Sequence, residues 1–147
     1  MNTQQILADI TSRDTTKVWS SACEIINNSH NKAAIKELVP HLADIITATK
    51  GLDMGGIFAP NKRFVDFAIR LIQFHDSSSD CTCSLYPEYG FNPNNEINKG
   101  HVKLLDTVML EGGYVDYYIL ECNTCTKQFK TIEREYHYTW WQWDILT

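Results

Sequence analysis

The sequence predicts an α+β protein, in which a small N-terminal helical bundle, HEAT-like or orthogonal, packs against a C-terminal antiparallel sheet of zinc-ribbon type. Up to about residue 75, apolar residues recur at spacings of three and four, the period of an amphipathic helix. Beyond that point the chain is rich in aromatic and β-branched residues, which favour strands, and it carries two closely spaced cysteine pairs. We therefore expect a helical subdomain at residues 1–76 and a zinc-ribbon-like subdomain at residues 77–147, joined in one compact unit.

Length and composition limit the class of protein. A chain of 147 residues with 44% hydrophobic residues is long enough to bury one core. It contains no long uncharged apolar run, so a transmembrane helix is not expected. The segment from Met1 to Asp9 lacks the basic and apolar regions of a signal peptide. We therefore expect a cytoplasmic protein without membrane association, and in that compartment clustered cysteines more often bind metal than form disulfides.

The first half predicts a series of short helices. Asp14 or Thr15 can cap the second helix, and Pro40 interrupts the apolar pattern of the third, so a kink or two short helices are expected there. The predicted helices lie at residues 4–12, 15–27, 32–49 with the interruption, and 61–74.

The second half predicts strands. Residues 85–99 contain two prolines, a glycine and four asparagines, and are predicted to form an irregular loop. Glu111-Gly-Gly-Tyr114 is a hairpin signal. The predicted strands lie at residues 102–110, 114–122 and 127–138.

Two cysteine pairs, Cys81-Thr-Cys83 and Cys122-Asn-Thr-Cys125, predict a metal site. The two thiolates of a C-x-x-C turn can point at one metal, and a second pair completes a tetrahedron. We expect these four residues to hold a structural Zn²⁺. Two alternatives remain open, namely four reduced cysteines without metal and disulfides. Cys23 is predicted to be a small, buried residue of a helix.

Composition and spacing indicate no enzyme. Four thiolates would fill a tetrahedral metal site and leave no position for water, so hydrolysis there is not expected. The chain has no H-E-x-x-H and no G-x-S-x-G element. Gly55-Gly56 does not match a phosphate-binding loop. His137 is an alternative metal ligand in place of Cys81 or Cys83.

The charge is unevenly distributed. Residues 76–147 carry five Lys and Arg against eleven Asp and Glu, although the whole chain has a net charge of only −5. An acidic half argues against direct nucleic-acid binding, because affinity for phosphates comes largely from Lys and Arg. It is compatible with a basic protein partner, and also with a surface that is simply solvated.

The C-terminus is unusually aromatic, with the sequence Tyr136-His-Tyr-Thr-Trp-Trp-Gln-Trp143. In an extended strand Trp141 and Trp143 share one face and Trp140 lies on the other. These rings can pack the sheet, can form a protein-binding surface of the kind that Trp and Tyr dominate, or can stack on single-stranded nucleic acid. The nearby acidic charge argues against nucleic acid.

The chain also resembles a known family of proteins. The segment from Asp53 to Ala68 (DMGGIFAPNKRFVDFA), followed by C-x-C, C-x-x-C and the ending Glu135-Tyr-His-Tyr-Thr-Trp-Trp-Gln-Trp143, resembles small immunity proteins. Such proteins are encoded beside bacterial polymorphic toxins, including those of contact-dependent growth inhibition. The resemblance covers roughly residues 15–143 and is one of pattern rather than of a diagnostic motif.

This resemblance implies a cytoplasmic inhibitor that binds one cognate toxin domain, often a nuclease, as a monomer in a 1:1 complex. The alternative is a zinc-ribbon protein that binds nucleic acid or has a regulatory role. Carboxylates and aromatic rings coincide only in the C-terminal half, so we predict that the partner contacts Asp116, Tyr117, Glu121, Glu133, Glu135, Tyr138, Trp141 and Trp143.

Overall fold

The computed structural model describes residues 1–57, 60–135 and 138–146, and it has the predicted α+β composition. The chain divides into two compact units, Met1–Ser79 and Asp80–Thr147. The division therefore falls three residues after the boundary predicted at residue 76. The regular elements described in the first unit are all helices, whereas the main element of the second unit is a four-stranded antiparallel sheet.

The first unit contains five α-helices in its described part. Asn2, Asp14 and Asn31 precede α1, α2 and α3, and each side chain accepts a hydrogen bond from a backbone N–H of the first turn, which satisfies donors that a helix start leaves unpaired. The helices are α1 Thr3–Ile10, α2 Thr15–Asn27, α3 Lys32–Lys36, α4 Leu42–Thr49 and α5 Lys62–Ser77.

The expected interruption at Pro40 is confirmed. Pro40 lies in a 3-10 turn, Val39–His41, between α3 and α4. A proline has no backbone N–H and is tolerated at the first positions of a helical turn, where that donor has no partner. The predicted third helix is therefore two short helices.

The core of the first unit lies along α5, which packs against α2, α3 and α4. The apolar residues buried there share one face of each helix; they include Ile10, Val18, Ala22, Ile25, Ile35, Ile45, Val65, Ala68, Leu71 and Ile72. Cys23 lies in helix α2, as predicted, but it is only half-buried. Cys23 lies next to the buried apolar residues of α2. Its partial burial raises the pKa of its thiol.

His75, on the last turn of α5, is a buried polar residue in this unit. Its ring is 2% exposed, and Nε2 lies 2.8 Å from the Ser29 carbonyl oxygen, so Nε2 carries the proton and donates it. Burial lowers the pKa of His75, and the positive charges of Lys32 and Lys36 lower it further, against the opposing effect of the bond to Ser29. The ring is therefore held neutral in the folded chain.

We expect the helical unit to lose stability as the pH falls. The unfolded ring has a pKa of about 6.5, and the folded value is lower, so the unfolded state takes up the proton first. The stability that the neutral His75 ring contributes is complete above the unfolded-state pKa. It is lost as the pH falls from there toward the lower pKa of the folded state. Urea unfolding, followed by helical circular dichroism between about pH 7.5 and about pH 5, measures this loss. His75→Gln, which keeps a donor but does not titrate, should flatten the dependence, and an equally steep slope in that variant would contradict the assignment.

The second unit begins with short helical segments and continues as a sheet. A 3-10 turn at Thr82–Leu85 leads into α6 Tyr86–Tyr89 and α7 Pro93–Asn98, so the prediction of an irregular loop over residues 85–99 is wrong. Local signals explain these helices, since Asn92 accepts a hydrogen bond from the Asn94 N–H and Pro93 occupies the first helical position.

The sheet has the strand order β1-β2-β3-β4, and every neighbouring pair is antiparallel. The strands are β1 Val102–Met109, β2 Val115–Cys122, β3 Gln128–Glu135 and β4 Thr139–Ile145. The predicted third strand was expected to reach residue 138; Tyr136 and His137 lie outside the described residues. Tyr118 pairs with Thr131, and Thr131 pairs with Trp143, so these three side chains share one face of the sheet.

The core of the second unit is aromatic. Tyr86 packs on Trp143 with ring centroids 4.3 Å apart and on Phe129 at 5.6 Å. Trp143 is 3% exposed and donates its indole N–H to the Phe91 carbonyl oxygen at 2.7 Å. The chain passes close to the sheet at Gly90, where φ is +73° and a Cβ would lie 2.5 Å from the Trp141 carbonyl oxygen. Only glycine fits that position.

Candidate metal centre and binding face

All four predicted metal ligands lie together in the second unit. The Sγ atoms of Cys81 and Cys122 are 3.6 Å apart, those of Cys83 and Cys125 are 3.3 Å apart, and all four lie within 4.8 Å of one another. In a tetrahedral thiolate site with metal–sulfur bonds of about 2.3 Å, neighbouring sulfurs are about 3.8 Å apart. The cluster therefore has dimensions that can hold a metal ion.

The second cysteine pair is held by a tight turn between β2 and β3. Cys122 ends β2, and the turn is closed by hydrogen bonds from the Thr126 N–H to the Cys122 oxygen at 3.0 Å and from the Cys122 N–H to the Lys127 oxygen at 2.9 Å. The Thr124 N–H points at the Cys122 sulfur at 3.4 Å.

The first pair lies on the 3-10 turn that follows the start of the second unit. Cys81 precedes the turn, Cys83 is within it, and the Ser84 N–H donates to the Cys81 oxygen at 2.9 Å. Cys83 and Cys122 are fully buried, Cys81 is half-buried and Cys125 is exposed. The site thus has a protected interior and one ligand at the surface.

The four cysteines can be ionised together only around a cation. Burial raises the pKa of Cys83 and of Cys81. Burial also raises the pKa of Cys125, but the Lys127 N–H and the neighbouring thiols outweigh it and leave that pKa below its usual value. Four thiolates repel one another at these distances, so a positive ion at their centre is needed to stabilise the ionised set.

The alternatives for the cysteines can be compared with this geometry. Cys81, Cys83, Cys122 and Cys125 are all free, and the shortest sulfur separation, 3.3 Å, is well beyond a disulfide bond of about 2.05 Å. The structure therefore contains no disulfide among these residues. His137, the predicted alternative ligand, lies outside the described residues.

A polar network that reaches from the surface to the buried Glu96 braces the C-x-x-C turn, and sequence reasoning missed it. Asn123 donates its backbone N–H to the His101 oxygen at 3.0 Å and its side-chain amide to the Gly100 oxygen at 2.8 Å. His101 contacts the carboxylate of Glu96 at 3.0 Å, and Tyr86 donates to the same carboxylate at 2.8 Å. Glu96 is 1% exposed. A glutamate within Pro93–Asn98 resembles any surface residue in sequence, so no local pattern indicated its burial.

The structure separates the predicted partner-binding residues between the two faces of the sheet. Glu133 and Glu135 are exposed on the face that carries Trp143, and the exposed Asp116 lines a cleft together with Glu133. Tyr117 and Glu121 lie on the opposite face, where the Lys130 ammonium sits 4.2 Å from the Tyr117 ring centroid and Glu121 pairs with Lys103 at 2.7 Å. Lys103 and Gln128 hold the pKa of Glu121 below its ordinary value. These two residues are therefore already engaged within the sheet.

Two of the predicted contact residues are not on the surface. Trp141 is 8% exposed and Trp143 is 3% exposed, and Trp143 belongs to the aromatic core. Burial withdraws Trp143 from contact with a partner, and that expectation is corrected. Trp141 is mostly buried but still lines a small cleft together with Asp116 and Glu133. Trp140 and Tyr138 are each 37% exposed, so the predicted alternation between Trp140 and its neighbours is confirmed.

Exposed apolar side chains lie next to the carboxylates, around the β1–β2 connection. Sequence reasoning identified a hairpin there but assigned it no role. Its side chains are unusually open for apolar residues: Met109 51%, Leu110 53%, Tyr114 75% and Val115 42% exposed. Exposed apolar groups that adjoin one another mark contact surfaces more often than scattered ones do.

No helix within the described part of the chain has the length and hydrophobicity needed to cross a membrane. Comparison of the chain with protein-family models, with curated proteins and with solved structures gives no match.

Proposed function

We propose that this chain is a non-catalytic immunity protein, which acts in the cytoplasm by binding and neutralising a cognate bacterial toxin domain with nuclease activity. The proposal rests on the exposed surface at the end of the sheet that lies beyond the last β2–β3 pair, Tyr118–Thr131. There the exposed apolar residues Tyr114 and Val115 directly precede the exposed Asp116, and Val115 and Asp116 line a cleft together with the exposed Glu133. Glu135 is exposed two residues further along β3. We call these five residues the binding face.

The binding face suits a basic partner. A nuclease needs positive charge to hold phosphates, so its active cleft presents Lys and Arg. Carboxylates steer such a cleft toward the inhibitor and accelerate association, whereas apolar groups that lose water on contact slow dissociation. A monomer that covers the cleft in a 1:1 complex blocks access to the nucleic acid.

The opposite face of the sheet favours a protein partner over nucleic acid. Its basic side chains already have partners: Lys103 pairs with Glu121 at 2.7 Å, Lys130 lies over Tyr117 at 4.2 Å, and Arg134 donates to Gln142 at 3.2 Å. Phosphate binding would have to displace these contacts. The excess of acidic residues over residues 76–147 opposes phosphates further.

We assign the cysteine cluster to one structural Zn²⁺ per chain, which clamps the β2–β3 turn to the segment before α6 as in a zinc ribbon. Soft thiolates in a tetrahedral arrangement suit zinc. Cys81, Cys83, Cys122 and Cys125 would fill the coordination shell, so the ion would support folding and take no part in hydrolysis.

Co-expression with the cognate toxin domain, which we expect to find at the end of the protein encoded by the adjacent upstream gene, tests the function. We expect the two proteins to co-purify in equal amounts and the nuclease activity of the toxin to fall to background at one equivalent of this chain. A toxin domain that neither binds nor loses activity would refute the proposal. Nuclease activity that belonged to this chain itself would refute its non-catalytic part.

Charge reversal on the binding face should slow association. In Glu133→Lys with Glu135→Lys, we expect the association rate constant to fall by about tenfold at low salt and to depend less on ionic strength, because steering is lost. Stopped-flow or surface-based kinetics over a salt series measures both effects.

The matched control reverses two exposed acids on the helical unit, Glu24→Lys with Asp44→Lys. It changes the net charge by the same amount and should alter association far less. If the helical pair slowed association while the Glu133 and Glu135 pair did not, the partner would bind the helical unit.

A further inference from the structure

Strands β2 and β3 of the second unit pair along only part of their length. Pairing between β2 and β3 runs from Glu121–Gln128 to Tyr118–Thr131, and no further β2–β3 pair occurs within the described residues. The flanking pairs continue, β1–β2 to Met109–Val115 and β3–β4 to Glu135–Thr139. β2 and β3 therefore separate on the side of the binding face.

A small cleft lies at this separation. It has a volume of about 20 Å³ and is lined by Val115, Asp116, Tyr117, Tyr118, Thr131, Glu133 and Trp141. A space of about 10–15 Å³ or more is enough for one water molecule. The cleft therefore accepts one group of that size, such as an ammonium, but not a planar guanidinium.

An unsatisfied hydroxyl lines the cleft. Thr131 is 0% exposed, and its Oγ1 is a buried atom without a hydrogen-bond partner among the described residues. Leaving a buried hydroxyl unpaired costs about 1–3 kcal/mol of folding free energy. An occupant that donates a hydrogen bond to Oγ1 would remove that cost.

The rest of the lining favours a positive occupant. Asp116 and Glu133 are exposed and have no ion-pair partner in the part of the chain that the structure describes. The rings of Tyr118 and Trp141 lie nearby with centroids 6.0 Å apart, and aromatic faces attract cations. An ammonium has three N–H donors, which matches two carboxylates and one hydroxyl.

We propose that this cleft binds the ammonium of a lysine side chain of the partner protein. The inference rests on the proposed function and names the anchor of the complex. The lysine places its charge between Asp116 and Glu133, and it donates a hydrogen bond to Thr131. Lysine is preferred over arginine because the ammonium is compact, whereas the guanidinium is a broad planar fork.

The first test needs no partner. N-acetyl-lysine N-methylamide is titrated into the isotopically labelled full-length protein, with the norleucine and arginine analogues as controls. We expect amide shifts centred on residues 115–118, 131–133 and 141, with a dissociation constant of about 1–10 mM for the lysine analogue and weaker binding of both controls. The inference is overturned if about 50 mM of the lysine analogue shifts nothing there, if the norleucine analogue acts equally, or if crystals soaked in it show a bound water only.

The second test uses the toxin domain. Asp116→Asn with Glu133→Gln should weaken the complex by at least about tenfold. Thr131→Val should weaken it while leaving the free protein as stable or more stable, because an unsatisfied hydroxyl is removed. The control Glu111→Gln, an exposed acid on the hairpin, should bind as the natural chain does.

The outcomes separate the two proposals. If the toxin domain binds the natural chain but all these variants bind within about twofold of it, a difference of about 0.4 kcal/mol, the lysine cleft is refuted and the immunity function stands. If the toxin domain does not bind the natural chain, the immunity function fails, and the analogue titration alone decides the cleft.

Discussion

Replacing Cys122 by serine is expected to abolish binding of the proposed zinc ion and unfold the second unit, while the helical unit remains folded. Structural zinc contributes apparent free energies of about 10–16 kcal/mol in small domains, which is as large as the total stability of many domains, about 5–15 kcal/mol. Cys122 is buried and ends β2, and a serine hydroxyl there is not the soft thiolate ligand that zinc prefers. Metal analysis should fall from one zinc per chain to well below it. Amide NMR should show collapse of dispersion over residues 80–146 alone.

Cys23→Ser is the matched control for this prediction. Cys23 is a half-buried thiol on α2, outside the metal cluster, so its replacement should leave zinc content and the sheet unchanged. A strong chelator added to the natural chain should reproduce the effect of Cys122→Ser. Full retention of the sheet spectrum after chelation, with four thiols freely titratable, would show that the cluster is not a structural metal site.

Truncating Trp143 to alanine is expected to cost about 4 kcal/mol of the free energy of unfolding, the next largest effect. Removing a buried aromatic side chain typically costs about 3–5 kcal/mol, and this one also contacts Tyr86 and Phe129. The indole N–H bond to the Phe91 oxygen at 2.7 Å is lost as well, which adds to the cost. Urea unfolding followed by near-ultraviolet circular dichroism measures the change.

Trp140→Ala provides the comparison on the same strand. Trp140 is 37% exposed on the other face of β4, so its truncation should cost about 1 kcal/mol or less. Trp143→Phe should fall between the two, because it keeps part of the packing but not the hydrogen bond. Equal losses for Trp140→Ala and Trp143→Ala would contradict the assignment of the two faces.

Local sequence signals determined much of the architecture. Helices α1, α2 and α5, the break at Pro40 and the strand that ends at Cys122 follow from apolar periodicity, capping residues and β-branched content. These features depend on neighbours within a few residues of one another, so one sequence is enough to predict them. The spacing of Cys122 and Cys125 likewise predicts a shared turn. The alternation of Trp140 with Trp141 and Trp143 follows from the period of an extended strand.

Only the tertiary structure decided which surfaces are available. It placed Cys81 and Cys83 against Cys122 and Cys125 across 41 and 42 residues of chain. It buried Trp141 and Trp143, and set Tyr117 and Glu121 on the face opposite Glu133. It also opened the cleft beside Thr131, where β2 and β3 stop pairing. Periodicity shows that two residues share a face, but the register between strands and the elements packed on each face determine whether that face is core or surface. Those depend on contacts between distant segments, which local spacing does not specify.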